Sequence, residues 1–237
     1  MTKNTNMNYF LLALFSIILT HCSAQKNDQT YFIKDYYFPY QNFKQIHTYY
    51  YVNTKDTTNK STWIMQSKVQ DGDTLFMTQI LNSQNLVQES LVEKMTNNIA
   101  QLISYKDYRY RSDKKPIEID CSIIDSVIFK WNQRLNDSIF WRVYFQSYAS
   151  SDTMELSKSR TLLEIDTTKK TAIFMDNFYS GLSGTNRQII PSKGSEYSRS
   201  YKWWVISNYK KDIGLTDYYI NGYGEVREYK LIKISTQ

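Results

Sequence analysis

Apolar and polar residues alternate along most of the chain, and this pattern predicts strands. In Thr62–Gln70, Trp63, Met65 and Val69 share one face, with Ser67 between them. Successive side chains of a strand point to opposite faces, so such a row marks one dry side. Asp71-Gly72 follows, a pair suited to the positive φ angles of a tight hairpin turn, and alternation resumes over Thr74–Leu81 with Leu75, Met77 and Leu81. Ile139, Trp141, Val143 and Phe145 alternate with Arg142, Tyr144 and Gln146, while Ala172, Phe174 and Phe178 line one side of Thr171–Phe178. Val127, Phe129 and Trp131 form a further short row. Residues 85–105 fit two readings. Leu86, Val87, Leu91 and Val92, then Ile99, Leu102 and Ile103, have spacings that suit short helices. Thr96-Asn97-Asn98 between them reads as a turn joining two strands, and strands are the preferred assignment. No helical stripe exceeds about three turns, and the absence of a fixed-period repeat excludes solenoids and propellers.

The first residues break the pattern. Lys3 is the only charge ahead of an apolar run from Tyr9 to Leu19 (YFLLALFSIIL). At about 11 residues the run is too short to span a bilayer, which takes about 20, and it matches the apolar region of an export signal. The predicted organisation is an export signal over residues 1–24, a polar tether over 25–35 and a single β-rich domain over 36–237. Two processing sites compete. Cys22-Ser23-Ala24 fits cleavage after Ala24, whereas Leu19-Thr20-His21-Cys22 resembles a bacterial lipobox, with His21 departing from the small residue expected there. Cleavage after Ala24 gives an exported periplasmic protein. Lipidation of Cys22 gives an outer-membrane-associated one, touching the membrane only through that anchor.

Composition sharpens the fold class. Seven Gly and three Pro among 237 residues exclude collagen and low-complexity linkers, and aromatic residues reach 16% (21 Tyr, 11 Phe, 5 Trp), which favours pleated, half-buried surfaces. Six of the glycines lie after residue 180, so residues 181–200 read as a surface loop. The net charge of +6 is mild. Lys106–Lys115 is the densest basic stretch and interleaves Tyr108 and Tyr110, as a nucleic-acid footprint would. Alternation instead places Arg109 and Arg111 on a wet strand face, and an exported protein is not expected to meet nucleic acid.

Catalytic constellations are missing from the sequence. Once residues 1–24 are removed, a metal site or a Ser-His-Asp triad would rest on His47 alone, which reads as a structural histidine at a strand start. There is no Gly-rich phosphate loop, Cys pair at metal spacing or nucleophile elbow. Asp71-Gly72-Asp73 lacks the later ligands of a calcium loop and reads as a turn. Neither Glu164 with Asp166 nor Glu225 with Glu228 has a sequence-level claim to a cleft. Cys121 falls in Ile117–Ile123, where odd positions are apolar, and reads as a small buried hydrophobe. After cleavage at Ala24 it would have no partner for a disulfide. No catalytic, cofactor or metal residue is assigned, and the protein is expected not to be an enzyme.

Both ends of the domain carry a resemblance. Tyr37-Phe38-Pro39-Tyr40 precedes the aromatic strand His47–Val52, and Trp203-Trp204-Val205 leads through Tyr209–Leu215 to a hairpin of Thr216–Tyr219 and Gly224–Ile234 about Asn221-Gly222. These segments resemble uncharacterised exported bacterial envelope proteins, which look similar in architecture to the LolA/LolB-type lipoprotein carriers. The glycine of that opening turn is replaced here by Asn42-Phe43-Lys44-Gln45. The resemblance implies a curved antiparallel sheet forming a half-barrel or small barrel. Such curling suits a chain with few helices to cover a sheet face. Trp63, Met65, Trp141, Val143 and Phe145 are then expected to line an apolar cavity for a hydrophobic ligand such as an acyl chain; the competing expectation is that they pack as solid core. A second functional reading is a structural or interaction lipoprotein that meets another envelope component through a Tyr-rich surface.

Overall fold

The computed structural model describes residues 29–38, 45–110, 115–146, 153–182, 201–222 and 225–237. The expected export signal, Cys22 and most of the expected loop 181–200 lie outside them. Among the described residues there are sixteen strands, one 3-10 turn (Lys34–Tyr36) and no α-helix. The strands are β1 Thr30–Phe32, β2 Ile46–Asn53, β3 Lys60–Gln70, β4 Asp73–Leu81, β5 Val87–Met95, β6 Ile99–Tyr110, β7 Pro116–Asp120 and β8 Ser122–Ile124. They continue with β9 Val127–Lys130, β10 Asn132–Arg134, β11 Ser138–Gln146, β12 Thr153–Asp166, β13 Thr171–Leu182, β14 Tyr201–Lys210, β15 Gly214–Gly222 and β16 Glu225–Thr236.

Fourteen of these strands form one antiparallel sheet in the order β7-β6-β5-β4-β3-β2-β16-β15-β14-β13-β12-β11-β8, with β9 also paired to β6. The sheet is nearly closed. Pro116–Ile124 is a single extended run interrupted at Cys121, whose first half pairs with β6 and whose second half pairs with β11. One stretch of chain thus bridges the two edges, and β9, hydrogen-bonded to β6, lies against β11 beneath it. A curved sheet closed this way turns its apolar face inward and leaves few edge groups unpaired. The expected all-β curved sheet is what the chain forms, closed further than a half-barrel.

Bulges supply much of the curvature. Register shifts skip Ile103 in β6, Leu163 in β12 and Ile232 in β16, and all three side chains are exposed, Ile232 at 65%. Each follows an inward residue (Leu102, Leu162, Leu231), so a bulge lets two apolar neighbours point to opposite sides without breaking the barrel. The same device explains the helix-like spacing in residues 85–105. Bulges at Gln88 and Ile103 interrupt alternation inside two strands joined at Thr96-Asn97-Asn98.

The Asp71-Gly72 hairpin forms as expected, with φ +51° and +81° at its two turn residues. Its register corrects the expected face of β4. Trp63, Met65 and Ser67 stand opposite Ile80, Thr78 and Phe76, so these face inward while Met77 and Leu81 lie on the other side. Apolar residues occupy both faces of β4, and only the pairing decides between them. Val69, at the hairpin end, is 60% exposed. The closing hairpin is also displaced: Asn221 and Gly222 pair with Val226 and Glu225 and so belong to its strands.

The expected tether over residues 25–35 is different where it is described. Thr30–Phe32 pairs with β10, Ile33 donates its N–H to the Trp131 carbonyl at 2.7 Å, and Ile33 itself is only 1% exposed. Polarity misled here because the stretch carries one strongly apolar anchor among polar neighbours. The chain then enters the barrel. Tyr36, Tyr37 and Phe38 are buried and close one end, held by Asp212 N–H donating to the Asp35 carbonyl (2.8 Å) and by the Lys211–Asp35 ion pair (3.0 Å). Tyr49 and Tyr51 hydroxyls donate to the carbonyls of Ile213 and Leu215, at 2.6 and 2.8 Å, on the same side.

Gly214 lets this plug seat. Its φ is +97°, and a Cβ there would sit 2.6 Å from Phe38 Cδ1. Gly72 has φ +81° with open space around it. Gly214→Ala combines strain with overpacking and is expected to lose about 2–4 kcal/mol of stability, against about 1 kcal/mol for Gly72→Ala. Thermal unfolding of the two variants checks this, and equal midpoints would contradict the close packing of Phe38 on Gly214.

Candidate functional site

The inward positions of β12 change character along the strand. Leu162 is fully buried among Phe129, Phe174 and the plug. Arg160 and Lys158 come next, and Leu156 follows. Across the β12–β13 ladder, Leu162 pairs with Phe174, Arg160 with Asp176 and Lys158 with Phe178. Alternation therefore directs a cation pair and its carboxylate into the barrel between two apolar zones.

The lower zone is crowded with rings. Trp131 (0% exposed), Phe129, Phe174 and Tyr209 pack with Tyr37 and Phe38 through edge-to-face ring pairs 4.6–6.2 Å apart between Tyr37 and Phe129, Phe129 and Phe174, Phe174 and Tyr209, and Phe38 and Tyr209. The upper zone encloses a cavity of about 290 Å³. Its apolar wall includes Trp63, Ile80, Leu91, Trp141, Leu156 and Ile220, with the stacked pair Phe178–Trp203 (centroids 4.8 Å apart). Tyr105 and Tyr218 add rings with polar tips. Five ionisable groups also face it: Glu89, Glu93, Lys158, Arg160 and Asp176.

Asp176 is the hub of these charges. Arg160 grips it with both prongs, Nε to Oδ1 at 2.7 Å and Nη2 to Oδ2 at 2.8 Å, and Lys158 Nζ reaches Oδ2 at 2.8 Å. The Arg160 guanidinium lies 4.1 Å over the Phe129 ring, at the top of the ring-crowded zone. The Lys158 ammonium stands 4.8 Å from the centre of the Phe178 ring and 5.7 Å from that of Trp141, in the cavity wall. Burial opposes the Asp176 charge, yet the neighbouring Arg160 and Lys158 hold its carboxyl below the ordinary range. Burial, with the Arg160 charge beside it, brings Lys158 down to about 8. Glu93 accepts a hydrogen bond from the Tyr37 hydroxyl at 2.6 Å, and burial pushes its carboxyl up to about 7 against the pull of that bond and of both cations. Glu89 is also raised, by burial and then by Asp107.

Of the residues expected to line a cavity, Trp63 and Trp141 do so. Met65 and Val143 are buried as packed core, and Phe145 is half-buried away from the cavity wall. The five ionisable groups were not legible as site residues, because a charge in an alternating strand reads as outward-facing. The offset between Arg160 and Asp176 across the hairpin turn at residues 167–170 is the signal that could have found them.

The remaining candidates lie elsewhere. His47 is buried at the start of β2, its Nδ1 3.4 Å from Thr236 Oγ1, and burial lowers its pKa. Cys121 is half-buried at the β7–β8 junction, and burial pushes its thiol up to about 12. Asp166 accepts the N–H groups of Thr168 and Lys169, a turn role, while Glu228 accepts from Tyr219 and Thr54. In the basic stretch, Lys106 pairs with Glu118 and Arg109 with Asp107; residues 111–114 lie outside the described set. Among the described residues no cluster of three or more His, Cys, Asp or Glu is placed to hold a metal. None of their helices is long and apolar enough to cross a membrane.

No known family profile matches the chain, and no curated protein does. Among solved structures it is similar to a provisionally named lipoprotein from Parabacteroides distasonis, at 8% identity, covering 84% of this chain and 98% of that one, with a TM-score of 0.44. It is also similar to a provisionally named exported protein with a YmcC-like fold from Bacteroides fragilis, at 11% identity, the same coverage and a TM-score of 0.43. Likenesses at this level carry no argument about function, and neither shows the resemblance to LolA/LolB-type carriers.

The charge cluster sets a pH dependence. A carboxyl raised from 4.5 to about 7 on folding is neutral in both states below that window and ionised in both above it, so it costs stability as pH rises through the window. Glu93→Gln removes that cost. The stability difference between variant and parent is expected to move toward the variant by about 2–3 kcal/mol between about pH 4.5 and pH 8. Lowering of the His47 pKa acts with the opposite sign, which is why the comparison is with the parent. Urea unfolding across pH measures it, and a pH-independent difference would contradict a buried, raised Glu93.

Proposed function

We propose that the protein is an exported, non-enzymatic binding module of the cell envelope that holds an apolar or amphipathic molecule, such as an acyl chain, inside its barrel. The observation that carries this reading is the cavity left inside the nearly closed sheet. Rings crowd the plugged end, yet against them, with Tyr37, Phe38 and Tyr209 in its lining, the barrel keeps a cavity of about 290 Å³ walled also by Trp63, Leu91, Trp141 and Leu156. That volume is at the lower end of the range of small-molecule sites, and an apolar wall with a few convergent polar groups is their usual make-up. The apolar run from Tyr9 to Leu19 behind Lys3 supports export. Binding rather than catalysis is favoured because His47 and Cys121 lie outside the cavity wall.

The tyrosines give less support to contact with another envelope component. Tyr36, Tyr37, Tyr49, Tyr51, Tyr105, Tyr209 and Tyr229 are buried and Tyr218 faces the cavity, so much of the tyrosine content serves the interior.

A neutral naphthylamine dye is expected to gain fluorescence on binding the purified chain in a saturable manner. Leu91→Trp adds bulk to the cavity wall and is expected to weaken that binding at least about tenfold while the circular dichroism spectrum stays that of the parent. Undiminished binding by a folded Leu91→Trp chain would place the dye elsewhere and remove the support for a cavity site.

A further inference from the structure

We infer that the molecule held in the barrel carries a carboxylate, and that this carboxylate docks on the Lys158 ammonium at the base of the cavity. The inference rests on the binding reading above and names the headgroup. Asp176 is one anion shared by two cations. Arg160 already occupies both of its oxygens at 2.7 and 2.8 Å, and Lys158 adds a third bond to Oδ2. Taken by itself the trio carries one net positive charge, which Glu89 meets only through space and without an ion-pair contact among the described residues.

That charge is placed for a ligand. An ammonium has three N–H donors, and Asp176 takes one from Lys158. The rest of the ammonium stands between the ring faces of Phe178 and Trp141, both in the cavity wall. The Arg160 guanidinium also lines the cavity, but its Nε and Nη2 are both engaged by Asp176 and its face lies over Phe129. A buried cation in apolar surroundings is costly until an anion meets it. A carboxylate entering the cavity supplies that anion through a charge-assisted hydrogen bond, and its apolar chain then lies along Trp63, Leu91 and Ile220.

The two other acids of the cavity are not in ion-pair contact with Lys158 among the described residues. Glu93 is engaged by the Tyr37 hydroxyl and Glu89 by Tyr105. Burial raises both carboxyls, and each is tied to its tyrosine rather than to the Lys158 ammonium.

The test uses three amphiphiles with one chain length and different heads: decanoate, decanol and decyltrimethylammonium, each displacing the naphthylamine dye from the full chain at neutral pH. Decanoate is expected to bind at least about tenfold more tightly than decanol, and decyltrimethylammonium more weakly than either. Lys158→Met leaves the Arg160–Asp176 pair balanced, so it is expected to fold, to bind decanol as the parent does and to lose the preference for decanoate. Equal binding of decanoate and decanol, a preference for the cation, or a preference for decanoate that survives Lys158→Met would overturn the headgroup assignment while leaving the cavity reading intact. Failure of all three to displace the dye would overturn both.

Discussion

Asp176 answers two cations inside a barrel walled mainly by rings and aliphatic chains, and the organisation of the interior follows from that charge cluster. A fully buried ion pair is stable only when its geometry is good and its remaining hydrogen-bonding capacity is met. The two-pronged grip of Arg160 meets that condition, and the Phe129 face beneath the guanidinium adds a cation–π contact. Losing one partner of such a pair costs about 3–5 kcal/mol, a large part of a typical domain's net stability. The trio therefore acts as a partition. On the Arg160 side rings pack closely around Phe129 and Phe174; on the other, Lys158 brings a charge to the edge of a cavity that side chains alone do not fill.

The partition depends on closure of the sheet. With no α-helix among the described residues, the apolar face can be buried only against itself. Three devices achieve this. Pro116–Ile124 passes from one edge of the sheet to the other, bulges at Ile103, Leu163 and Ile232 bend the strands, and the Tyr36–Phe38 segment fills the end that would otherwise stay open. The seat of Phe38 against Gly214 ties the plug to the β14–β15 turn, while Asp35 ties it to Lys211 and Asp212. The closure leaves a cavity of about 290 Å³ in the interior.

Much of this was legible in the residues, for local reasons. The Asp71-Gly72 turn and the rows Trp63/Met65 and Ile139/Trp141/Val143 follow from backbone chemistry and period two, which act over a few residues. The inward face of β4 was misread because Leu75 and Met77 compete with Phe76 and Ile80, and only pairing with β3 separates them. The described part of the expected tether, residues 30–35, differs because the burial of Ile33 depends on Trp131, about a hundred residues away. The charged part of the site was hidden for a deeper reason. Glu89, Glu93, Lys158, Arg160 and Asp176 occupy inward positions where alternation expects apolar residues, and they are tolerated because they satisfy one another or tyrosine hydroxyls. Pattern reading assigns such residues to water, and it takes the closed sheet to reveal them as interior.

A crystal structure of the chain purified from an envelope fraction, with no ligand added, would examine the container most directly. Elongated non-protein electron density between Trp63, Trp141 and Lys158 is the expected result, with the Arg160–Asp176 fork intact beneath it. An interior in which Trp63, Leu91, Trp141 and Phe178 have closed together over that volume, leaving no space above the fork, would contradict it.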